Sequence, residues 1–127
     1  MAAYFDTMEG GVAYRDFANH RGEWVQPGSV NYRGYDLYEL PPNGQGLAAL
    51  QMLNVLENFP LADMGAGSAR ELHLLAETMK RAAANRRSLI GDPDFVEIPK
   101  ALFSKGYARE RRELIDRNHA FDDMPPW

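Results

Sequence analysis

The strongest hydrophobic pattern in the chain lies between residues 46 and 59. Its apolar residues occupy nearly the whole circumference of a helix, and the single polar strip is expected to face solvent. The apolar positions are Leu47, Leu50, Met52, Leu53, Val55, Leu56 and Phe59, and the polar strip is Gln51, Asn54, Glu57 and Asn58. Such an apolar helix must be covered on most of its sides, so the pattern predicts a central helix around which the other elements pack.

The residues before this helix predict a β-hairpin over residues 23–40. Two extended segments meet at Arg33 and Gly34, a pair suited to a tight turn. Pro41 and Pro42 end the second strand, because proline has no N–H to donate to a ladder. A lone two-stranded hairpin is only marginally stable in water. One of its faces is therefore expected to pack on a helix or on a second sheet.

A second long helix is predicted after residue 68. Ser68 stands three residues before Glu71, which has the form of a capping box, and the helix is expected to run to about Leu89. A turn at Asp92, stabilised by its own side chain, then ends this helix. The stripe expected to face the core is Leu72, Leu75, Ala76, Met79, Ala82 and Ala83.

The remaining segments predict shorter helices. Pro99 is expected to begin a short helix that Gly106 closes, and a charged helix follows from Tyr107 to about Asn118. The chain is expected to be a single fragment of the α+β class, mainly helical, with a β-hairpin followed by three or four helices. Its predicted divisions are a helix tail and short helix over 1–22, the hairpin over 23–40, a helical part over 44–118 and a disordered tail over 119–127.

Composition narrows the class of protein. The chain has 127 residues with 45% hydrophobic and 25% charged residues, which is typical of one globular domain. Its 14 Lys and Arg are mixed among 18 Asp and Glu, so no basic field for nucleic acid or anionic lipid is expected. The sequence has no long apolar run and no secretion-signal pattern, so no membrane contact is predicted. The absence of cysteine excludes disulfides and thiolate metal sites.

The residues Gly44, Gly46 and Ala49 resemble the glycine fingerprint of dinucleotide-binding folds. That motif requires a buried parallel strand before the glycines and another strand after the helix. Two prolines precede the turn here, and residues 60–67 offer no strand. The pattern therefore favours a structural turn, or part of some other site.

No other group of residues predicts a catalytic or metal centre. The three histidines lie in different segments without the spacing of metal ligands on a helix, and no serine or threonine has a neighbouring His–Asp arrangement. Asp92 and Asp94 are better explained by turn formation than by a bound cation. We therefore predict no catalytic residue, no metal ion and no cofactor in this chain. Composition and spacing alone do not indicate its function.

A series of short motifs nevertheless resembles the γ-glutamyltransferases (γ-glutamyltranspeptidases) and their acylase relatives. The resemblance covers residues from about 10 to 115, and it departs from the family's usual aspartate at Asn85 and from a common aromatic at Ala83. The matching motifs, in order, are residues 10–11, 16–20, 24–27, 32–34, 40–46, 53–57, 68–69, His73, the spaced set Glu77, Lys80, Ala82 and Arg86, and residues 91–95.

The resemblance implies part of an N-terminal-nucleophile hydrolase of αββα architecture. In that class a precursor cuts itself, and the new N-terminal threonine attacks a γ-glutamyl amide. The matching region is the last part of the family's large subunit, so the threonine is expected beyond Trp127 and the arginine that grips the substrate carboxylate before Met1. The chain alone is then expected to be inactive. Two alternatives stay open: a piece of a cephalosporin-type acylase, or a small helical interaction domain without catalysis.

The resemblance also implies partners. They are the remainder of the large subunit, the small subunit and, in the whole enzyme, a γ-glutamyl substrate such as glutathione. Within this chain, the candidates for substrate contact are Asn43, Gly44 and Gln45, because this loop is rich in backbone donors and opens a helix N-terminus. A purely structural turn is the competing interpretation.

Two further expectations concern the chain's surroundings. Apolar surface on the central helix and the hairpin is expected to remain uncovered without those partners, which predicts self-association of the isolated chain. The compartment stays open. A periplasmic or extracellular location is expected if the parent protein carries a signal peptide.

Overall fold

The computed structural model describes residues 1–8, 10–42 and 44–122. This part of the chain contains five α-helices, one two-stranded sheet and two short 3-10 helices. Their bounds are α1 Ala2–Thr7, α2 Tyr14–Asn19, β1 Gly28–Tyr32, β2 Tyr35–Glu39, α3 Gly46–Leu56, a 3-10 helix Leu61–Met64, α4 Ala69–Leu89, a 3-10 helix Lys100–Phe103 and α5 Lys105–Glu113. The prediction of a mainly helical α+β fold with a hairpin before its longer helices is confirmed.

The hairpin closes through the two-residue turn expected from the sequence. Arg33 and Gly34 have φ angles of 52° and 91°, and this left-handed pair matches the twist of the flanking strands. The strands are antiparallel with Val30 opposite Leu37, and these two side chains pack against the start of α3. The packing supplies the partner that an isolated hairpin lacks.

Helix α3 runs through the middle of the fold, as its apolar pattern predicts. It contacts both strands, α4, α5 and the 3-10 helix Lys100–Phe103. The prediction of a solvent-facing polar strip is wrong, because Gln51 and Asn54 are only 4% and 1% exposed. Asn54 donates to the carbonyl of Phe103 at 2.8 Å. The polar strip of α3 is therefore an internal contact surface.

Helix α4 begins at the predicted cap, where Ser68 Oγ accepts from Glu71 N at 3.2 Å. Its predicted core stripe is wrong at Leu72 and Met79, which are each 56% exposed, whereas Ala82 is buried as predicted. The face it buries against the fold is largely polar. That face consists of Leu74, Glu77, Thr78, Arg81, Ala82, Ala84 and Asn85.

A buried amide explains how the two polar faces can meet. The Nδ2 atom of Asn85 donates to Gln51 Oε1 at 2.8 Å and to the Tyr107 hydroxyl at 2.6 Å. Asn85 is 3% exposed, so these bonds join α4 to α3 and α5 inside the fold. A buried polar group left unpaired would cost about 1–3 kcal/mol. Apolar periodicity cannot identify such a face, because its stability depends on partners from distant parts of the sequence.

The last helix begins two residues earlier than predicted, at Lys105. Ser104 caps it by accepting from Tyr107 N at 3.1 Å. Gly106 therefore lies inside α5 and does not close the preceding 3-10 helix, and α5 ends at Glu113 rather than near Asn118. The cap fixes the start, because a serine oxygen replaces the missing intrahelical partner of a first-turn N–H.

Glu57 ties the hairpin turn to the end of α3 and to the start of α5. Its Oε1 accepts from Arg33 N at 2.8 Å, and its Oε2 accepts from the ammonium group of Lys105. The same ammonium group donates to the carbonyl of Asn31. The Lys105 hydrogen bond, followed by the one from Arg33 N, holds the pKa of the Glu57 carboxyl below its ordinary value of 4.5.

We predict that Glu57 contributes to stability in a pH-dependent way. A depressed carboxyl pKa adds stability that is present above the unfolded-state pKa and is lost as the pH falls through the folded-state pKa. Glu57→Gln should therefore lower the free energy of unfolding by about 1 kcal/mol at pH 7 and flatten its decline below pH 4.5. Urea unfolding between pH 3 and pH 7 measures both effects. Glu110→Gln, at an exposed position of α5, is the matched control. An unchanged slope in Glu57→Gln would contradict the assignment.

Exposed apolar side chains lie around the hairpin, as expected, but not on the core-facing side of the central helix. The core-facing residues of α3 are covered, whereas Trp24, Tyr35, Tyr38 and Leu40 around the hairpin are at least 63% exposed. In the described ranges, no helix combines the length and apolarity needed to cross a membrane. Of the predicted disordered tail, residues 123–127 lie outside the described residues, and Phe121 is hydrogen bonded to α4.

Candidate functional site

The loop predicted to contact substrate lies between β2 and α3. Asn43 lies outside the described residues, and the other two candidates, Gly44 and Gln45, are exposed. Gln45 precedes the first residue of α3 and makes no capping bond through its side chain. The first N–H groups of α3 therefore have no side-chain cap from this residue, which is the local condition for binding an anion at a helix N-terminus.

Strand β2 approaches this helix end closely. A Cβ atom added to Gly46 would lie 2.4 Å from Glu39 Oε2 and 2.8 Å from Glu39 Cβ. Glycine is therefore required where the strand end and the helix start meet. The Glu39 carboxylate also places one negative charge beside the positive end of α3, which reduces the attraction of this end for a second anion.

Positive charge comes from the other side of the loop. Gly44 lines a cavity of about 200 Å³ together with Arg86, Arg87, Ile90 and Gly91. Both arginines belong to the last turn of α4, where a cation also complements the helix dipole. The fold thus brings the end of α4 to the loop before α3 and places two arginines and Gly44 around one cavity.

The size of this cavity limits what it can hold. Sites for small molecules usually measure about 300–1,000 Å³. A cavity of about 200 Å³ can accept one carboxylate-sized end of a ligand but not a whole peptide-like substrate. The residues present are suited to binding and orienting an anionic group, through guanidinium and backbone donors.

The sequence indicates the loop as a candidate for substrate contact, but it does not indicate the two arginines that lie beside the loop in the fold. Arg86 belongs to a family-like motif that indicates no role for it, and no motif includes Arg87. The two arginines lie far from Gly44 in the sequence, and only the packing of α3 on α4 brings them to the same cavity. Their proximity therefore cannot be predicted from sequence patterns. Two adjacent arginines at a predicted helix C-terminus, close to Gly91, were the available signal.

Several polar side chains that could have formed a site have structural partners instead. Ser68 and Ser104 cap helices, and Thr78 Oγ1 donates to the carbonyl of Leu74 at 2.7 Å. Asp92 Oδ1 accepts from Asp94 N at 2.9 Å, which confirms the predicted turn. These groups serve the fold, and none of their contacts forms a nucleophile–base pair.

Comparison with known proteins gives the same family over the whole chain. The family model for gamma-glutamyltranspeptidase matches residues 1–127. A similar curated protein is the glutathione hydrolase-like YwrD proenzyme of Bacillus subtilis (strain 168), 43% identical over 101 residues that cover 79% of this chain and 19% of the relative. The chain spans only about a fifth of the length of the curated relatives it matches.

Two solved structures share the arrangement of elements. The γ-glutamyltranspeptidase of Helicobacter pylori superposes with a TM-score of 0.86 at 30% identity, over 98% of this chain and 38% of that chain. The cephalosporin acylase of Bacillus halodurans gives a TM-score of 0.77 at 37% identity, over 91% of this chain and 21% of that chain. These matches confirm the fold class that the motifs implied, and the relatives are enzymes. The chain belongs to the γ-glutamyltranspeptidase family.

Proposed function

We propose that this chain forms the helical part of the large subunit of an enzyme that transfers or hydrolyses γ-glutamyl groups. The observation that carries the proposal is the family match over residues 1–127, combined with coverage of about a fifth of relatives that are named proenzymes. The remainder of the large subunit and the small subunit are then the partners of this chain in the parent protein.

The chemical step is assigned to a threonine outside these residues. Its hydroxyl oxygen attacks the carbonyl carbon of the γ-glutamyl amide, and its own α-amino group accepts the hydroxyl proton. The amine then passes that proton to the leaving nitrogen, so that an ester joins the γ-glutamyl group to the threonine. Water or an acceptor amine releases the acyl group from this ester, which gives hydrolysis or transfer.

The loop before α3 is proposed to contact the anionic end of the substrate. Arg86 and Arg87 supply positive charge, Gly44 lines the cavity, and the α3 N-terminus supplies N–H donors. The Glu39 carboxylate opposes this attraction at the helix end. The role proposed for the loop is therefore binding and orientation, and the chain contributes no proton transfer.

One observation favours a second candidate, a piece of a cephalosporin-type acylase. The similar Bacillus halodurans protein is a cephalosporin acylase and is 37% identical to this chain. The parent protein should be assayed with γ-glutamyl-p-nitroanilide and with an acyl-substituted cephalosporin. Turnover of the anilide supports the first proposal, and turnover of only the cephalosporin supports the second. Turnover of neither, by folded parent protein, would favour a helical interaction domain.

We predict that bulk at Gly44 weakens substrate binding without disturbing the fold. A Cβ atom at this position would meet no atom within 4 Å, so Gly44→Val should leave the melting temperature of the parent unchanged. It should raise KM for the anilide by about three- to tenfold and change kcat by less than about twofold. Ser88→Ala, at an exposed position of α4, is the control. An unchanged KM in Gly44→Val would mean that the loop is a structural turn.

A further inference from the structure

One face of α4 binds the backbone of the segment that follows α5. His73 Nε2 lies 2.8 Å from the carbonyl oxygen of Asp116, and Arg81 Nη2 donates to the carbonyl of Leu114 at 2.6 Å. Lys80 Nζ donates to the carbonyl of Phe121 at 2.7 Å. We call this set of α4 side chains, together with Glu77, the backbone clamp.

Several side chains of the clamp contact Phe121. Both of its backbone polar groups have partners, since its N–H points to the two carboxylate oxygens of Glu77 at 3.3 and 3.4 Å. Lys80 also donates to Glu77 Oε1 at 2.6 Å, so one ion pair binds both backbone polar groups of one residue. The guanidinium of Arg81 lies 5.7 Å from the centre of the Phe121 ring.

The clamp places charged side chains inside the fold. Glu77 is 1% exposed and Arg81 is 8% exposed, and both belong to the face of α4 turned toward the rest of the chain. Burial, followed by the nearby charge of Arg111, lowers the pKa of Arg81. Burying charged groups is costly unless they are well hydrogen bonded. Here Arg81 Nη2 donates to a carbonyl and Glu77 accepts from an amide of residues 114–121, so that segment offsets part of the cost of burial.

We propose that the backbone clamp fixes the point from which the polypeptide leaves the helical part, and that it thereby positions the downstream segment for self-cleavage of the parent precursor. This inference rests on the proposed function. In the cleavage step, the threonine hydroxyl oxygen attacks the carbonyl carbon of the preceding peptide bond. The hydroxyl proton passes to the departing nitrogen, and water hydrolyses the resulting ester. The reacting bond must be held in place for that attack, because misplacement of reacting atoms by about 1 Å can cost about 10²-fold in rate.

Lys80 offers the clearest test in the full-length parent. Lys80→Met keeps the aliphatic stem and removes the donor to Phe121 and to Glu77, whereas Lys80→Arg retains a donor that can reach both. We expect Lys80→Met to slow conversion of the precursor into two subunits by about tenfold, the effect of losing one charged hydrogen bond, and Lys80→Arg to restore most of the rate. Conversion is followed on denaturing gels after the precursor is purified uncleaved.

Controls separate positioning from folding. Met79→Leu, at the exposed neighbouring position, should convert at the wild-type rate. Phe121→Leu removes the ring but not the backbone bonds, and should slow conversion by no more than about threefold. Once cleaved, the Lys80→Met enzyme should match the wild type in kcat/KM for γ-glutamyl-p-nitroanilide, because the clamp acts on the precursor. A loss of general stability would lower both readouts together.

Amide hydrogen exchange on the full 127-residue chain tests the clamp directly. The Phe121 amide should exchange at least about tenfold faster in Lys80→Met than in the wild type. Equal exchange overturns the clamp itself. Equal conversion of wild-type and Lys80→Met precursors overturns its positioning role alone. If a folded wild-type parent is never cleaved into two subunits, the proposed function and the positioning role are both overturned. The hydrogen-exchange result then still tests whether α4 binds the backbone of Phe121.

Discussion

Replacing Leu74 by alanine is expected to lower the free energy of unfolding by about 2–5 kcal/mol. Leu74 is 2% exposed and belongs to a cluster with Val55, Phe59, Ala108 and Ile115, which joins α3, α4 and the chain around α5. Truncation removes buried apolar area and leaves a cavity that three elements would have to close. Because marginal stability is typical of a domain this size, the variant should unfold at a clearly lower temperature or denaturant concentration.

Leu72 gives a matched comparison on the same helix. It is 56% exposed, so Leu72→Ala should change the free energy of unfolding by no more than about 0.5 kcal/mol. Chemical denaturation of the two variants and the wild type, under one set of conditions, gives the difference. If Leu72→Ala were the more damaging change, α4 would pack through the stripe that its apolar periodicity indicates, and the orientation of this helix would be wrong.

The features that could be predicted from the sequence have local causes. The Arg33–Gly34 turn, the Ser68 cap and the Asp92 turn each depend on side chains within a few residues of one another. Such contacts form in almost any tertiary context, so a single stretch of sequence is enough to indicate them. The existence of α3 and α4 could be predicted for the same reason, because each helix has a long hydrophobic pattern within one stretch of sequence.

The faces of α3 and α4 could not be predicted in this way. Gln51 and Asn85 are polar, and an apolar-face rule places both toward solvent. In the fold they bind each other across 34 positions of sequence, and Asn85 also binds the Tyr107 hydroxyl. A polar side chain is stable inside a protein when a partner is present. Partners from distant segments are not visible in a helical periodicity.

In the candidate site, too, the local features could be predicted from the sequence and the contacts between distant segments could not. The loop was predicted because its composition and its place before a helix are local features. Its positive charge was missed because Arg86 and Arg87 come from the far end of the next helix. The opposing Glu39 carboxylate was missed for a similar reason, since only the close approach at Gly46 brings it to the helix end. The electrostatics of the site are therefore a consequence of packing.

The second large effect concerns activity. We expect the 127-residue chain alone to release no p-nitroaniline from γ-glutamyl-p-nitroanilide above the spontaneous rate. The hydroxyl groups of Ser68 and Ser104 cap helices, Asn85 joins α4 to α3, and we propose that the threonine nucleophile belongs to other polypeptide. A binding loop without a nucleophile can hold an anionic group but provides no path for acyl transfer. The parent protein, in contrast, should turn over the anilide after cleavage into subunits.

The most direct measurement is anilide turnover by the chain and by the cleaved parent, assayed side by side at equal molar concentration. We expect the cleaved parent to release p-nitroaniline and to lose this activity when the threonine that becomes N-terminal on cleavage is replaced by alanine. We expect no enzymatic release of p-nitroaniline by the chain alone. Turnover by the purified chain alone, proportional to its concentration, would place a nucleophile within these 127 residues and would contradict the account.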